Sequence, residues 1–119
     1  MEHHQVLSDL REPTRSLRHA IPEAWSGFLS LHDRAMADGE VPARLKEATA
    51  LAMSVVERCD GCIAHHARAA ARAGATPGEV AELLGVALLM GGGTASVYAP
   101  RAWAAFEEFR AELPPPDMG

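Results

Sequence analysis

Apolar residues recur at helical spacing along this chain of 119 residues. From Pro42 to about Arg58 they fall three or four positions apart, which is the spacing of a helix with one buried face. The residues concerned are Leu45, Ala48, Leu51, Ala52 and Val55. Helix formers dominate, alanine above all, and no segment shows the sustained alternation of a strand. The pattern predicts an all-α fold.

Proline and glycine indicate where two more helices begin and end. Pro22 suits the first position of a helix, and this helix is predicted to run to about residue 36. After the 42–58 helix, Asp60-Gly61 interrupts the apolar pattern. A third helix is predicted over 62–73, and Gly74 suits its end.

The last third of the chain predicts two further helices. Thr76-Pro77-Gly78-Glu79 combines an N-cap, a proline at the first helical position and the glutamate of a capping box. The helix that follows, 80–90, ends at Gly91-Gly92-Gly93, and Pro100 marks a new start or a kink. A final amphipathic helix carries Trp103, Phe106, Phe109 and Leu113, and a loose tail is expected after it. We expect a compact single domain over residues 1–119 with about five to six helices.

The helix at 80–90 is apolar on nearly every side. A domain of this size buries every face of a helix most easily if another subunit covers one of them. The chain is therefore predicted to form a homo-oligomer.

Composition and charge argue against several classes of function. The net charge of −5 leaves no basic stripe to neutralise phosphates, which argues against binding to nucleic acid. No apolar run is long enough to span a bilayer, because Glu82 interrupts even the 80–90 segment. The N-terminus lacks the basic and apolar stretches of a secretory signal, so a cytoplasmic location without membrane contact is expected.

The two cysteines of the chain, Cys59 and Cys62, lie three positions apart. A disulfide between them would close too short a loop to stabilise the fold much. In the cytosol such a pair is more often redox-active or metal-binding than a static cross-link. Chemistry is therefore a better explanation of the pair than architecture.

Two further side chains could serve this pair. His66 follows Cys62 by four positions, so both project from one helix face and the imidazole can take a thiol proton. The N-terminus of that helix favours a thiolate. Glu47 precedes Cys59 by twelve positions, about 18 Å along an unbroken helix, so it reaches the site only if the chain folds back near Asp60-Gly61. There it would orient His66.

The cysteine pair has two other interpretations. Buried inert thiols are one, and a zinc site of Cys59, Cys62, His65 and His66 is another. The metal site is disfavoured because zinc usually takes two separated pairs of ligands, and because adjacent histidines point to different sides of one helix. The glycine run at 91–93 is interpreted as a helix end and not as a phosphate cradle. The remaining histidines have no partner at useful spacing; they are His3, His4, His19 and His32.

The pattern Glu-x11-Cys-x2-Cys-x3-His, together with the segments 74–80 and 90–95, resembles the alkylhydroperoxidase D-like branch of the carboxymuconolactone decarboxylase superfamily. The resemblance covers about residues 42–109. It implies an all-helical fold assembled as homotrimers or homohexamers. Decarboxylation of a muconolactone is not expected, because those relatives generally lack the cysteine pair.

The resemblance also implies a peroxide-reducing antioxidant enzyme. Cys62 would attack the hydroperoxide and become a sulfenic acid, and Cys59 would donate a proton and resolve it as the Cys59–Cys62 disulfide. His66 and Glu47 would form the proton relay. No bound cofactor or metal is implied; an external dithiol, such as a lipoyl group or a thioredoxin-like protein, would restore the thiols.

The chain departs from that pattern at one position of the site. Longer members carry a histidine between the cysteines, where this chain has Gly61. The first forty residues also lie outside the resemblance. Two alternatives stay open: a non-catalytic redox-sensing or zinc-binding helical module, and the same scaffold acting on a substrate other than a peroxide.

Overall fold

The computed structural model of the protein describes residues 2–115, which form five α-helices and contain no strand. The helices are α1 (His3–Ala20), α2 (Pro22–Met36), α3 (Ala43–Glu57), α4 (Asp60–Ala73) and α5 (Pro77–Ala111). The predicted all-α class and the number of helices are confirmed. The tail expected after Leu113 lies, from residue 116 onwards, outside the described residues.

The core is built where α3, α4 and α5 pack on one another. Alanine supplies twelve of the nineteen buried apolar side chains found within residues 2–115, so the helix backbones can approach closely. The bulk comes from five completely buried side chains: Phe106, Leu51, Ile63, Val55 and Val80. Close packing of this kind makes α3 and α4 a rigid support for the side chains that they carry.

Helix α1 was not identified from the sequence pattern. It is mostly polar and exposed, and it carries Pro13 in its interior. Glu2 caps its start by accepting hydrogen bonds from the backbone N–H groups of His4 and Gln5. Its first turn is tied to the far end of α5, since His3 lies 3.6 Å from Glu108 and His4 pairs with Glu112. The rest of α1 lies against α4.

The turn between α3 and α4 differs from the prediction. Asp60 and Gly61, expected to interrupt the helices, are the first two residues of α4. The chain turns instead at Arg58, which adopts the left-handed conformation with φ 58°, and at the extended Cys59. The backbone N–H of Arg58 bonds the carbonyls of Ser54 and Val55, which satisfies the end of α3.

Helix α5 runs through both segments that the sequence divided. Thr76 and Glu79 form the predicted capping box at its start. The glycine run interrupts the helix at Gly92 alone, where φ is 61° and ψ is −138°, and Pro100 lies within the helix without breaking it. The two helices predicted here are therefore one helix that is interrupted at a single non-helical residue.

The sequence led us to expect that no segment could span a membrane, and α5 tests that expectation. By length and composition it is apolar enough to cross one, contrary to that expectation. Mostly buried core helices of globular proteins meet the same test, but only 22% of the apolar window of α5 is buried. The side chains of α5 that are buried include Val80, Leu84 and Phe106, which pack in the core with α3 and α4.

The backbone at Gly92 leads to a first prediction. A side chain is strained at this φ and ψ, so Gly92→Ala should lower the free energy of unfolding by about 1–3 kcal/mol. Gly93→Ala is the matched control, because a Cβ there would meet nothing within 4 Å and alanine favours the helix. Chemical denaturation of both variants measures the difference. Equal stability of the two would contradict the assignment of strain to Gly92.

Candidate active site

The dithiol lies at the start of α4. Cys59 is the N-cap residue, and its Sγ accepts a hydrogen bond from the backbone N–H of Cys62 at 3.2 Å. The two cysteines are joined as a disulfide, with their Cα atoms 5.2 Å apart. Asp60, the first residue of α4, lies between the two cysteines in the chain, and its Oδ1 is 3.5 Å from Nη1 of Arg101 of α5, which ties the start of α4 to the core. The sulfur atoms therefore sit where the unpaired N–H groups of a helix favour negative charge.

The structure brings Glu47 and His66 together. His66 Nδ1 lies 2.8 Å from Glu47 Oε2, a distance at which the ring N–H donates to the carboxylate. The Glu47 side chain is only 8% exposed, so this hydrogen bond compensates the burial of its charge. Because Nδ1 donates to Glu47, the other ring nitrogen of His66, Nε2, can accept a proton from another group. Glu47 is on α3 and His66 on α4, and the turn at Arg58 and Cys59 brings these two helices side by side so that the side chains can meet.

A cavity of about 860 Å³ opens beside the dithiol. Helices α1 and α2 supply most of its apolar wall, while Cys59, Cys62, His65 and His66 line it from α4. The apolar side chains are Val6, Leu10, Trp25, Phe28 and Leu29. A cavity of this size, mostly apolar with a few polar groups, is typical of a small-molecule site. Sequence analysis found the residues of α4 but missed the wall that α1 and α2 provide.

His65 and His32 also line the cavity, and the place of His65 differs from the prediction. His65 and His66 were expected on different sides of α4, but both line the cavity, with ring centroids 4.8 Å apart. Burial, and then the neighbouring His66, lower the pKa of His65, which favours the neutral form of its imidazole. His32 comes from α2 and meets His65 edge to face at 5.9 Å. Its Nε2 is buried and has no hydrogen-bond partner within residues 2–115.

Gly61 has a specific contact. A Cβ at this position would lie 2.9 Å from Cδ1 of Leu10, so Leu10 would have to move before any side chain could enter. Within residues 2–115 the only close neighbour is the far end of the flexible Leu10 side chain, so a larger residue at 61 requires Leu10 to shift.

The zinc-binding alternative has no ligand set in this structure. Across the described residues 2–115, no group of three or more histidine, cysteine or acidic side chains is arranged to hold a metal ion. Both sulfur atoms are used by the disulfide.

Comparison with known proteins identifies similar chains. Residues 22–108 match the model of the carboxymuconolactone decarboxylase family. A Cupriavidus necator protein of no assigned function is 36% identical over 105 residues, which span 88% of this chain and 93% of that protein. Uncharacterized protein 4 of the cox locus of Paracoccus denitrificans is 37% identical over 81 residues, or 68% and 73% of the two chains.

Two solved structures have the same fold. A carboxymuconolactone decarboxylase family protein of Legionella pneumophila, in its apo form, gives a TM-score of 0.87 at 37% identity and covers 91% of this chain and 96% of its own. A family protein of Thermotoga maritima, for which a part in the antioxidative response has been suggested, gives 0.76 at 28% identity and covers 90% and 91%.

The pKa of His65 predicts how stability changes with pH. The unfolded chain takes up a proton at His65 near the ordinary value of about 6.5, whereas the folded protein resists it until the pH is lower. The unfolded state therefore binds more protons below about pH 6.5, and His65 makes stability fall as the pH decreases. We expect His65→Gln to flatten the decline of the melting temperature between about pH 7 and 5.

Thermal unfolding at each pH measures this slope. His19→Gln, the same change at an exposed position of α1, is the control and should leave the slope near that of the wild type. A His65→Gln slope as steep as the wild type would rule out His65 as a source of the decline.

Proposed function

Because the chain belongs to the carboxymuconolactone decarboxylase family and carries a cysteine pair beside a buried Glu47–His66 hydrogen bond, we propose that it reduces hydroperoxides as a thiol-dependent oxidoreductase of the alkylhydroperoxidase D-like type. The observation that carries this proposal is the 2.8 Å hydrogen bond, which joins a carboxylate and an imidazole next to the dithiol. The same combination supports a general base in other enzymes.

In the proposed reaction Cys62 loses its thiol proton to Nε2 of His66, while Glu47 stabilises the imidazolium that forms. The Cys62 thiolate attacks the terminal oxygen of the hydroperoxide. A sulfur–oxygen bond forms and the oxygen–oxygen bond breaks. The departing alkoxide takes the proton held on Nε2 of His66 and leaves as an alcohol. Cys62 is then a sulfenic acid.

The second step closes the disulfide. The sulfur of Cys59 attacks Cys62, the hydroxyl of the sulfenic acid leaves with a proton as water, and the Cys59–Cys62 bond forms. The disulfide of the structure corresponds to this oxidised state. A dithiol reductant, such as a lipoyl group or a thioredoxin-like protein, then supplies two electrons and two protons in the cytoplasm. Leu10, Trp25 and Phe28 would hold the organic part of the hydroperoxide.

A redox-sensing module without catalysis is the second candidate. The observation that favours it is that the disulfide already forms within one chain, so a change of redox state needs no substrate cavity. A sensor would be oxidised once by peroxide and would not turn over with a dithiol.

A homo-oligomer, a trimer or a hexamer, is proposed for the assembly. Every residue of α2 keeps some exposure, including Phe28 at 58% and Leu31 at 64%. Beside the break in α5, Leu89 is 82% and Met90 73% exposed. Soluble monomers rarely leave large apolar side chains exposed in groups, whereas subunit interfaces cover them.

The function is tested by peroxide consumption with dihydrolipoamide as reductant. Cys62→Ser should abolish turnover, because no thiolate remains to attack. Glu47→Gln, which keeps the shape of the side chain, should lower the rate roughly 10–100-fold by leaving His66 without its carboxylate. Glu57→Gln, at an exposed position of the same helix, is the control.

Cys59→Ser separates the two steps. It should form the Cys62 sulfenic acid, detectable with dimedone, but not the disulfide. Failure of the wild type to consume any hydroperoxide with any dithiol donor would remove the enzymatic proposal. A single stoichiometric oxidation without turnover would support the sensor.

The assembly is tested by size-exclusion chromatography with light scattering. The wild type should elute at a mass of three or six chains, and Leu89→Asp should shift it towards the monomer because the new charge would be buried in the interface. Circular dichroism checks that this variant keeps its helices. A wild type that is monomeric at micromolar concentration would contradict the proposal.

A further inference from the structure

Three histidine rings stand in contact on the wall of the cavity. The ring of His65 lies between the other two, with its centroid 4.8 Å from that of His66 and 5.9 Å from that of His32. All three line the cavity together with Cys59 and Cys62. The proposed reaction uses His66 alone among them, so the middle histidine has no role in it.

His65 is the histidine of this group whose two ring nitrogens are open to the cavity. Within residues 2–115 the histidine rings that form hydrogen bonds belong to His4, His32 and His66. In the same part of the chain, the buried ring nitrogens without a partner belong to His3 and His32. His65 is in neither group, so both of its nitrogens can contact a ligand in the cavity that it lines.

His65 also lies beside the sulfur that attacks. It follows Cys62 by three positions on α4, and residues at this spacing have Cβ atoms about 5–6 Å apart. His66 follows Cys62 by four positions, and its ring plane is turned 76° from that of His65. The two imidazoles therefore approach the sulfur from different directions, and a peroxide at the sulfur can contact both.

The cleavage of a peroxide benefits from a hydrogen-bond donor other than His66. Sulfur attacks along the oxygen–oxygen bond, so negative charge develops on the leaving oxygen, which is the oxygen farther from the sulfur. Until that bond breaks, Nε2 of His66 holds the proton taken from Cys62 and directs it at the thiolate. A second N–H group that is already placed at the leaving oxygen stabilises the charge as it develops.

The protonation state of His65 suits this task. Burial, and then the neighbouring His66, lower its pKa, which favours the neutral imidazole. A neutral ring still carries one N–H donor. Unlike an imidazolium, it does not repel the positive charge that His66 takes up from the thiol. His65 can therefore donate a hydrogen bond without adding a charge beside His66.

We propose that His65 is a second catalytic residue, whose ring N–H donates a hydrogen bond to the leaving oxygen of the hydroperoxide while the Cys62 thiolate attacks the terminal oxygen. The sulfur–oxygen bond forms, the oxygen–oxygen bond breaks, and the leaving oxygen takes the proton from Nε2 of His66. His65 keeps its own proton throughout. This role rests on the proposed function, because it is a step of the same reaction.

His32 acts as a positioning residue for His65. Its ring meets the ring of His65 edge to face, and its own Nε2 is buried, so it holds the neighbouring ring and does not contact the peroxide through that nitrogen. Phenylalanine at position 32 would keep an aromatic ring against His65, whereas alanine would remove it.

The test varies how strongly the leaving oxygen needs a donor. Cumene hydroperoxide releases a strongly basic alkoxide, whereas peroxybenzoic acid, which is of similar size, releases benzoate, a weak base. All variants carry Cys59→Ser, so the reaction stops at the Cys62 sulfenic acid. The rate of this single step is measured on the reduced protein with each peroxide by rapid quenching and titration of the remaining thiol.

His65→Phe keeps a planar ring without an N–H group. It should slow the reaction with cumene hydroperoxide about 100-fold, as the loss of one such donor does in other enzymes, and the reaction with peroxybenzoic acid by no more than about three-fold. His65→Gln keeps a donor on a flexible side chain and should recover part of the loss. His19→Phe, the same change at an exposed position of α1, is the control and should alter neither rate.

The His32 variants test the positioning role with the same two peroxides. His32→Ala should slow the reaction with cumene hydroperoxide about 10-fold and that with peroxybenzoic acid far less, because a freely turning His65 is less often aligned. His32→Phe should stay close to the parent protein. Circular dichroism at the assay pH checks that each variant keeps its helices, and His65→Gln and the His32 pair carry the comparison if His65→Phe does not fold.

Equal slowing of the two peroxides by His65→Phe would overturn the proposal, since a loss of packing or of access to the cavity affects both alike. An unchanged rate with cumene hydroperoxide would overturn it as well. If neither peroxide oxidises Cys62 in the Cys59→Ser parent, the proposed function itself fails, and this result is distinct from both of the others.

Discussion

The hydrogen bond between Glu47 and His66 constrains the site more than any other interaction. A carboxylate that is nearly buried in α3 loses the solvation of its charge, and it is tolerated because His66 of α4 donates to it. This contact requires α3 and α4 to lie side by side with a short turn between them. The turn that allows it also makes Cys59 the N-cap of α4, so the imidazole and the dithiol are positioned by one piece of backbone.

The protein has two parts with different physical roles. Helices α3, α4 and α5 form the close-packed core, whose many alanines bring the backbones together and hold the catalytic candidates in place. Helices α1 and α2 contact that core sparingly and form the apolar wall of the cavity. Elements with few buried contacts open at lower free energy than a core does. The wall is therefore the part of the site that is expected to open at the lowest free energy.

Sequence reasoning was most successful where local chemistry decides the structure. Pro22 and the Thr76–Glu79 capping box marked helix starts, because a fixed φ and a paired side-chain hydrogen bond act within one turn. It was wrong about Asp60-Gly61, because a glycine was interpreted as a helix break while Arg58 took the left-handed conformation. Gly61 instead lies within the first turn of α4, where the side chain of Leu10 from α1 packs beside it. Helix α1 was not predicted because its surface is largely polar and a proline lies within it.

The amino-acid sequence by itself determined the helical class, the positions of the two cysteines at a helix start and the spacing that places His66 one turn from Cys62. These follow from interactions between residues a few positions apart, and such interactions are readable along the chain. Only the tertiary structure decided that Glu47 meets His66, that His32 joins His65, and that α1 and α2 wall the cavity. Those contacts join residues distant in the chain, and they depend on the direction in which each helix leaves its turn, which no local pattern specifies.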